Sequence, residues 1–393
     1  MKKQILAVKM PNKIAPDKTS IPRHLRIVMV TDVYDDMKNG AAISMERFVS
    51  ILKKKHSVKI VSTGKTSDDK IVVPSFYFPL VKPIMIKMKF SFAWPDEELL
   101  VKAFSEADIV HIQFPFYLGM KAVKIARRMH VPVISAFHVQ PENICYNIGI
   151  KTEWVVNLLY KLFIRKVFNR TEAVICPSPF AENELKRRGL TPPSHVVSNG
   201  VMPQFKPIKV KRPAEFNNRF VILSVGRLAK DKRQDVLIHA INKSKYRDSI
   251  QLVITGEGPI KEKLVELGKL LPNKPFFWYL PVDELIRLYN SADLYVHPSA
   301  VELESMSVLE AIACGLPALI SDSNHSASKQ FAINDRFLFK SNNAADLTGK
   351  IDYWVEHQKE LYVFKRKYHQ LSRSYSMEES IRKVEHIYYA HAR

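Results

Sequence analysis

In RFVILSVG, residues 219–226, a pattern that the chain has already completed once starts again. It is a continuous run of apolar and β-branched residues, which predicts a strand buried on both faces. It follows FKPIKVKRPAEFNN (205–218), a polar segment with proline that is typical of a linker. The 393 residues exceed the length at which one hydrophobic core usually stops growing, so the restart predicts a second domain.

Similar apolar runs occur on both sides of the linker, with amphipathic helical patterns between them. We therefore predict an α/β protein with two Rossmann-like, doubly wound parallel-sheet domains. Ligands of such sheets bind beyond the carboxyl ends of the strands, here in the inter-domain cleft. The predicted strands are 25–32, 57–63, 107–114, 131–137, 172–178 and 195–201, then 219–226, 250–256, 275–280, 292–299 and 316–322. The predicted units are a basic arm (1–24), two domains (25–204 and 205–375) and a closing helix (376–393) that could return to the first domain or lie on the surface.

The composition is that of a globular protein, with 46% hydrophobic and 25% charged residues. The three cysteines are far apart and form no CxxC pair, so neither a disulfide framework nor a zinc site is predicted. The apolar run near the amino terminus is too short for a signal peptide. No apolar stretch approaches the roughly 18 residues that span a bilayer. We expect a cytoplasmic protein that is soluble or lies on a membrane surface.

The net charge of +21 is unevenly distributed along the chain. Residues 1–200 contain 31 Lys and Arg against 17 Asp and Glu, an excess of 14. Such a field favours an anionic partner, which could be nucleic acid, acidic lipid or a phosphorylated substrate. Solubility alone remains an alternative explanation.

Two segments of the second half join a strand to a helix through a glycine turn. In SVGRLAKDKRQDVLIHAI (224–241), Arg227 and Lys232 bracket the turn, where two cations and a helix amino terminus could hold phosphate oxygens. In TGEGPIKEKL (255–264), Gly256 permits close approach of the backbone to a ligand. Solvated cations and an ordinary helix cap are the respective alternatives.

The segment HPSAVELESMSVLEAIACG (297–315) places two glutamates eight positions apart. The pattern predicts Glu302 in a loop that faces the cleft, with Ser305 and Met306 at the start of a helix whose free N–H groups could bind a diphosphate. Glu310 then lies one to two turns into the helix, where its carboxylate could accept hydrogen bonds from a vicinal diol such as a ribose.

In this order and spacing, SNGV, GRLAKDK, GEGP and HPSAVELESMSVLEAIACGLPALIS resemble the donor half of retaining GT-B glycosyltransferases of family 4. The resemblance implies that Arg227 and Lys232 hold the diphosphate of a nucleotide sugar. It also implies that Glu302 lies beside the transferred sugar and that Glu310 binds the ribose. The chain departs from the family pattern at 303–305, where Leu-Glu-Ser replaces a usual small-aromatic-Gly run, so the sugar pocket could be reshaped.

The acceptor half resembles the same family in two places. Gly40 matches one glycine of the family's first loop, although Asn39 and Ala41 stand where further glycines are common. His138 follows the fourth predicted strand and matches the family's histidine beside the reacting centre; without the family context, a structural histidine would be the better interpretation.

The resemblance also implies a mechanism. The family is thought to use front-face displacement, in which the leaving diphosphate takes the acceptor proton. Arg227, Lys232 and the helix start would stabilise the departing charge, Glu302 would orient the donor and His138 would help to place the acceptor. We therefore predict no metal and no cofactor, with the nucleotide sugar as the donor substrate.

Two segments suggest where the acceptor comes from. FPLVKPIMIKMKFSFAWP (78–95) and TEWVVNLLYKLFIRKVFNR (152–170) interleave basic residues with aromatic and aliphatic ones, as interfacial elements on anionic lipid do. A core helix is the alternative for the second segment. The residues predicted to contact membrane or acceptor are Lys82, Lys87 and Lys89 in the first, and Trp154, Lys161, Arg165 and Lys166 in the second, with Phe163 and Phe168 as further aromatics.

These features resemble the glycolipid-forming members of the family, such as diacylglycerol glucosyltransferases. The resulting hypothesis is a peripheral enzyme on the inner face of the cell membrane that moves a hexose, with UDP-glucose as leading donor, to diacylglycerol or a glycolipid. A transferase acting on a polyprenyl-linked acceptor for capsule or exopolysaccharide, a nucleotide-sugar epimerase and an inactive glycosyltransferase-like partner remain alternatives. A nucleic-acid-binding protein would explain the charge, but no recognised motif supports it.

Overall fold

The computed structural model describes residues 23–35, 40–77, 82–87, 91–150 and 152–393. The strands are β1 (Arg26–Val30), β2 (Ser57–Ser62), β3 (Lys70–Val72), β4 (Ser75–Phe76), β5 (Phe92–Ala93), β6 (Ile109–Ile112), β7 (Val133–Ala136), β8 (Ala173–Cys176), β9 (Ser194–Val196), β10 (Phe220–Val225), β11 (Ile250–Thr255), β12 (Phe276–Trp278), β13 (Leu294–His297), β14 (Val301–Glu302), β15 (Ala318–Ser321), β16 (His325–Ser326) and β17 (Leu338–Phe339). The helices are α1 (Gly40–Leu52), α2 (Lys82–Lys87), α3 (Glu97–Phe104), α4 (Tyr117–Arg128), α5 (Pro141–Ile148), α6 (Glu153–Lys166), α7 (Pro179–Lys186), α8 (Gln234–Lys243), α9 (Lys261–Gly268), α10 (Val282–Ser291), α11 (Met306–Ala313), α12 (Ala344–Glu356), α13 (Gln358–Ser372) and α14 (Met377–His391).

Two parallel sheets form the centre of the molecule. The first has the strand order β3-β2-β1-β6-β7-β8-β9, and the second has the order β12-β11-β10-β13-β15-β17. In β6, β7 and β8 every residue is buried, as expected for strands covered by helices on both faces. This confirms the predicted α/β fold class with two parallel sheets. In each sheet the order reverses beside the central strand, β1 or β10, which is where such folds bind ligands.

Each predicted run overlaps an observed strand, but several short strands were not predicted. They are the edge strands β3 and β17, the antiparallel pair of β4 and β5, and the parallel pair of β14 and β16. These strands have two or three residues each, which is too short for an apolar run to mark them.

The closing helix α14 lies on the first sheet. Its residues Met377, Ile381 and Tyr388 are buried in one cluster with Ile27 and other residues of the first sheet. The chain therefore crosses between the two halves twice, and the two crossings are hydrogen-bonded: Val201 N–H donates to the Tyr375 carbonyl (2.8 Å) and Met377 N–H to the Val201 carbonyl (3.0 Å).

In the described part of the chain, no helix combines the length and the apolar character that crossing a bilayer requires.

Candidate active site

A cleft of about 1030 Å³ lies between the two sheets, at the carboxyl ends of their strands. Its lining comes from both halves, with α1, the segment after β7 and α5 on one side, and the turns after β10 and β11 and the start of α11 on the other. The structure places nine predicted site residues in this lining: Gly40, His138, Arg227, Lys232, Gly256, Glu302, Ser305, Met306 and Glu310.

The two predicted cations converge on a buried carboxylate that was not predicted. Lys232 ends a short 3-10 turn after β10, and its Nζ lies 2.7 Å from Glu302 Oε1 and 3.1 Å from Asp231 Oδ2. Arg227 Nη2 lies 3.8 Å from Asp231 Oδ1. Asp231 is fully buried and accepts a hydrogen bond (2.9 Å) from Asn143 Nδ2 in α5, on the opposite side of the cleft. The alternation Lys-Asp-Lys was the available signal for Asp231, but spacing alone cannot show that its side chain turns inwards.

The pKa values of Glu302 and Lys232 keep these two groups charged. Burial raises the pKa of Glu302, but Lys232 and His297 outweigh burial and lower the pKa to about 2. Burial lowers the pKa of Lys232, but Glu302 and Asp231 outweigh it and raise the pKa. The His297 Nε2 lies 3.2 Å from Glu302 Oε1. At neutral pH the cleft therefore contains a fixed ammonium group, a guanidinium and an ionised Glu302.

The start of α11 also lines the cleft. Ser305 caps this helix, and its Oγ accepts a hydrogen bond from the Val308 N–H (3.4 Å). Its φ of 119° and ψ of 94° are values that favour glycine and strain a residue with a side chain. Ser305, Met306 and Ser307 all face the cleft, so the first N–H groups of α11 lie where an anion could bind.

Two further polar groups on α11 and just before it contact the opposite half of the molecule. Glu310 Oε1 lies 2.8 Å from Arg47 Nη2 of α1. Glu304 Oε2 accepts hydrogen bonds from the N–H and the Nδ2 of Asn199, both at 2.8 Å, and burial raises its pKa to about 7. Neither Arg47 nor Asn199 was predicted, because their roles depend on how the two halves approach each other.

Gly256 has a role in packing as well as in the cleft lining. A Cβ atom on Gly256 would lie 2.0 Å from the Gly226 carbonyl oxygen, and φ is 146° at Gly256 and 150° at Gly226. Glycine therefore allows the turns after β10 and β11 to pack backbone against backbone. Gly40 is the first residue of α1, and a Cβ there would meet nothing within 4 Å.

His138 follows β7 and is uncharged at neutral pH. Burial lowers its pKa to about 4. A neutral imidazole can donate and accept hydrogen bonds without adding a charge, which suits a residue that positions a hydroxyl group.

The first-half wall of the cleft includes a cluster of apolar side chains. The rings of Phe92 and Phe116 meet edge to face with centroids 5.0 Å apart. The apolar residues of this wall include Met85, Phe92, Phe114, Phe116, Ile144 and Ile148, with Leu303 from the second half, and the polar residues Glu46, Arg47 and Ser50 of α1 also line it.

The predicted membrane residues lie outside the cleft lining where the structure describes them. On α6, Trp154, Leu158 and Leu162 are exposed four residues apart, and Trp154 is 67% exposed. Lys161, Arg165 and Lys166 are exposed on the same helix, and Lys82 is exposed on α2. The placement of Phe163 and Phe168 among the interfacial aromatics was wrong, because both are buried in the core of the first sheet. Lys89 and the side chain of Lys87 lie outside the described residues.

Within the described ranges, no group of three or more His, Cys, Asp or Glu side chains could hold a metal ion.

Comparisons with known proteins match both halves of the chain to known families. Residues 205–370 match the family described as Glycosyl transferases group 1, and residues 38–205 match the one described as Glycosyltransferase Family 4. The alpha-monoglucosyldiacylglycerol synthase of Streptococcus pneumoniae is 26% identical over 325 residues, which are 75% of this chain and 70% of that protein. A GDP-mannose-dependent alpha-mannosyltransferase of Corynebacterium glutamicum is 25% identical over 317 residues, 76% of this chain and 73% of that protein. The crystal structure of Anabaena HepE in complex with UDP-glucose superimposes with a TM-score of 0.71 at 14% identity, covering 93% of this chain and all of HepE.

Proposed function

Since the chain belongs to the GT-B glycosyltransferases of group 1 and family 4, we propose that it transfers a hexose, with retention, from a nucleoside diphosphate sugar to a membrane lipid. The observation that carries this proposal is the composition of the cleft. Its second-half wall has two cations and a helix start, and its first-half wall includes a cluster of apolar side chains. A cleft of this kind suits an anionic donor on one side and a lipid acceptor on the other.

The donor half of the proposal rests on the charges around Asp231. A diphosphate would enter between Arg227, Lys232 and the first N–H groups of α11. Lys232 would then exchange its contact with Glu302 for a phosphate oxygen, and Glu302 would become available for the hydroxyl groups of the sugar. These groups are preset before the reaction and would stabilise the charge that grows on the leaving diphosphate. Removal of one such group typically lowers kcat by about 10²–10³-fold.

The acceptor half of the proposal rests on the apolar wall and on His138. The hydroxyl of the acceptor would approach the anomeric carbon from the side on which the diphosphate leaves, and a departing phosphate oxygen would take its proton. His138, with a pKa of about 4, is too weak a base to take this proton at neutral pH. It would instead hold the acceptor oxygen in place. The acyl or isoprenoid part of the acceptor would lie against Phe92, Phe116 and their apolar neighbours.

The membrane part of the proposal rests on α6. Its exposed apolar row and basic residues match what binds the surface of an anionic bilayer. The enzyme would then take its acceptor from the inner face of the membrane. The similarity to the alpha-monoglucosyldiacylglycerol synthase supports a glucolipid product, and we propose UDP-glucose as the donor.

The test is incubation of the purified chain with a panel of radiolabelled nucleotide sugars and a total membrane lipid extract. We expect label from one donor in the organic phase, and none with Arg227→Ala/Lys232→Ala. Mild alkali would release the label from an ester-linked acyl lipid, whereas a polyprenyl phosphate acceptor would resist alkali. Organic label that is unchanged in the double variant, or no label with any donor, would contradict the proposal.

A further inference from the structure

The strongest unassigned feature is an ion pair that crosses the cleft. Arg47 lies on α1, which covers the first sheet, and its Nη2 donates to Glu310 Oε1 on α11 of the second half at 2.8 Å. Only 11% of the Arg47 side chain and 9% of the Glu310 side chain are exposed. The guanidinium also lies over the ring of Phe205, at 5.6 Å from the ring centroid. Separating the pair would leave a buried charge without its partner, which is costly. The pair therefore favours the arrangement in which α1 and α11 lie side by side.

The other titratable groups that face Glu310 are neutral. Tyr289 of α10 donates to Glu310 Oε2 at 3.3 Å, and Tyr295 of β13 and Cys314 at the end of α11 also interact with it. Burial raises the pKa of both tyrosines well above their usual value and that of Cys314 to about 12. Burial likewise raises the pKa of Glu310, and Arg47 is the charge that opposes this.

The ionised form of Glu310 is the one that a ribose needs. A carboxylate has about four sites that accept hydrogen bonds, of which Arg47 and Tyr289 use one each. The remaining sites suffice for the two hydroxyls of a vicinal diol. A protonated Glu310 would lose part of this capacity, because one oxygen would then be a donor.

We propose that Arg47 is a positioning residue for donor binding: from the acceptor-side helix α1, it holds Glu310 ionised and oriented for the ribose of the nucleotide. The inference rests on the proposed function, which assigns Glu310 to the ribose. On this account the ribose site is complete only when α1 is docked beside α11, so the acceptor half of the molecule contributes to donor affinity without touching the donor.

A second contact from the same face of α1 reaches the second half of the molecule by a route that does not involve Glu310. Ser44, three residues before Arg47, donates through Oγ to Asn199 Oδ1 (2.8 Å), and Asn199 in turn donates to Glu304. Glu304 directly precedes the Ser305 cap of α11. Contacts from α1 therefore lead to the start of α11, through Asn199 and Glu304, and to Glu310 about one turn further along that helix. Because the Ser44 route bypasses Glu310, it supplies a matched control.

The experiment measures binding of UDP and of 2′-deoxy-UDP by calorimetry, without turnover, to the full chain and its variants. We expect the unmodified chain to prefer UDP about tenfold, in line with a hydrogen bond to a charged group. Arg47→Met and Arg47→Gln should reduce this preference towards one, and Arg47→Lys should retain most of it. Ser44→Ala should leave the preference unchanged.

The pH profile separates positioning from a merely structural role. We expect UDP affinity to fall as Glu310 becomes protonated. Without Arg47 the pKa of Glu310 rises further, so this fall should begin at a higher pH in Arg47→Gln than in the unmodified chain. In kinetic assays the donor KM should rise more than kcat falls.

Two results would contradict the role proposed for Arg47 and leave the proposed transferase activity unaffected. One is a full UDP preference in both uncharged Arg47 variants together with its loss in Glu310→Gln. The other is an unchanged preference in Glu310→Gln itself. Absence of sugar transfer from any donor is a separate result, which would contradict the proposed function and not the binding measurement.

Discussion

At the scale of single residues, the segment 303–305 shows what a sequence can and cannot reveal. The sequence showed that this segment departs from the family pattern, but it could not show what the departure does to the structure. Ser305 adopts a φ of 119°, a value that favours glycine, so the chain accepts strain at the start of α11. Glu304 takes the aromatic position and is paired with Asn199, a contact that depends on tertiary structure.

Replacing Ser305 should therefore have opposite effects depending on the new residue. Ser305→Gly removes the strain and loses only a weak cap, and we expect stabilisation by about 1 kcal/mol. Ser305→Ala keeps the strain and loses the cap, so it should destabilise by about 1 kcal/mol. Thermal melting compares the two directly. A lower melting temperature for Ser305→Gly would show that Ser305 is not strained.

At the scale of elements, the sequence predicted the strands well and the faces of one helix poorly. Continuous apolar runs mark strands that are covered on both sides, and they located every central strand of both sheets. On α6, aromatic residues occur on the buried and on the exposed face, so Phe163 and Trp154 could not be told apart by composition. The structure separates them, since Phe163 belongs to the core and Trp154 to the surface.

The exposed face of α6 should bind anionic vesicles. We expect Trp154→Ser/Leu158→Ser to reduce the bound fraction on vesicles that contain phosphatidylglycerol, because the apolar row supplies the insertion energy. Lys161→Gln/Lys166→Gln should weaken binding and flatten its salt dependence. Tyr362→Ser on α13, where Tyr362 is also well exposed, is the matched control. Sedimentation with vesicles measures the bound fraction of all three variants. Equal binding of the unmodified chain to neutral and anionic vesicles would contradict an anionic-membrane site on α6.

At the scale of the whole molecule, elements that are far apart in the sequence lie side by side in the structure. The helix α14 is the last of the described helices and yet packs on the first sheet, where Tyr388 OH lies 2.6 Å from His111 Nδ1. The family resemblance pointed to residues of both halves, and nine of them line the cleft. It could not supply the contacts between the halves, such as Asn143 with Asp231 or Arg47 with Glu310, because these depend on the approach of two separately specified surfaces.

Tyr388→Ala should loosen the first sheet more than the second. Truncation of a large buried side chain typically costs about 3–5 kcal/mol, and Tyr388 is fully buried against the first sheet. Hydrogen exchange should accelerate at β1 and β2 and change little at β10 and β11. The half-exposed neighbour Tyr389, changed to Ala, is the control and should have a small effect. Uniform acceleration in both sheets would mean that the two halves unfold as one unit.

The most direct test of the central claim compares two lysines of one turn. Lys232 lies in the cleft beside Glu302, whereas Lys230, two residues earlier, is exposed to solvent. The experiment measures kcat for Lys232→Met and Lys230→Met, with the nucleotide sugar that labels lipid as the donor. We expect a loss of about 10²–10³-fold for the first and near-normal turnover for the second. Normal turnover by Lys232→Met, or equal losses in both variants, would contradict the claim that fixed cations between the sheets stabilise the leaving diphosphate.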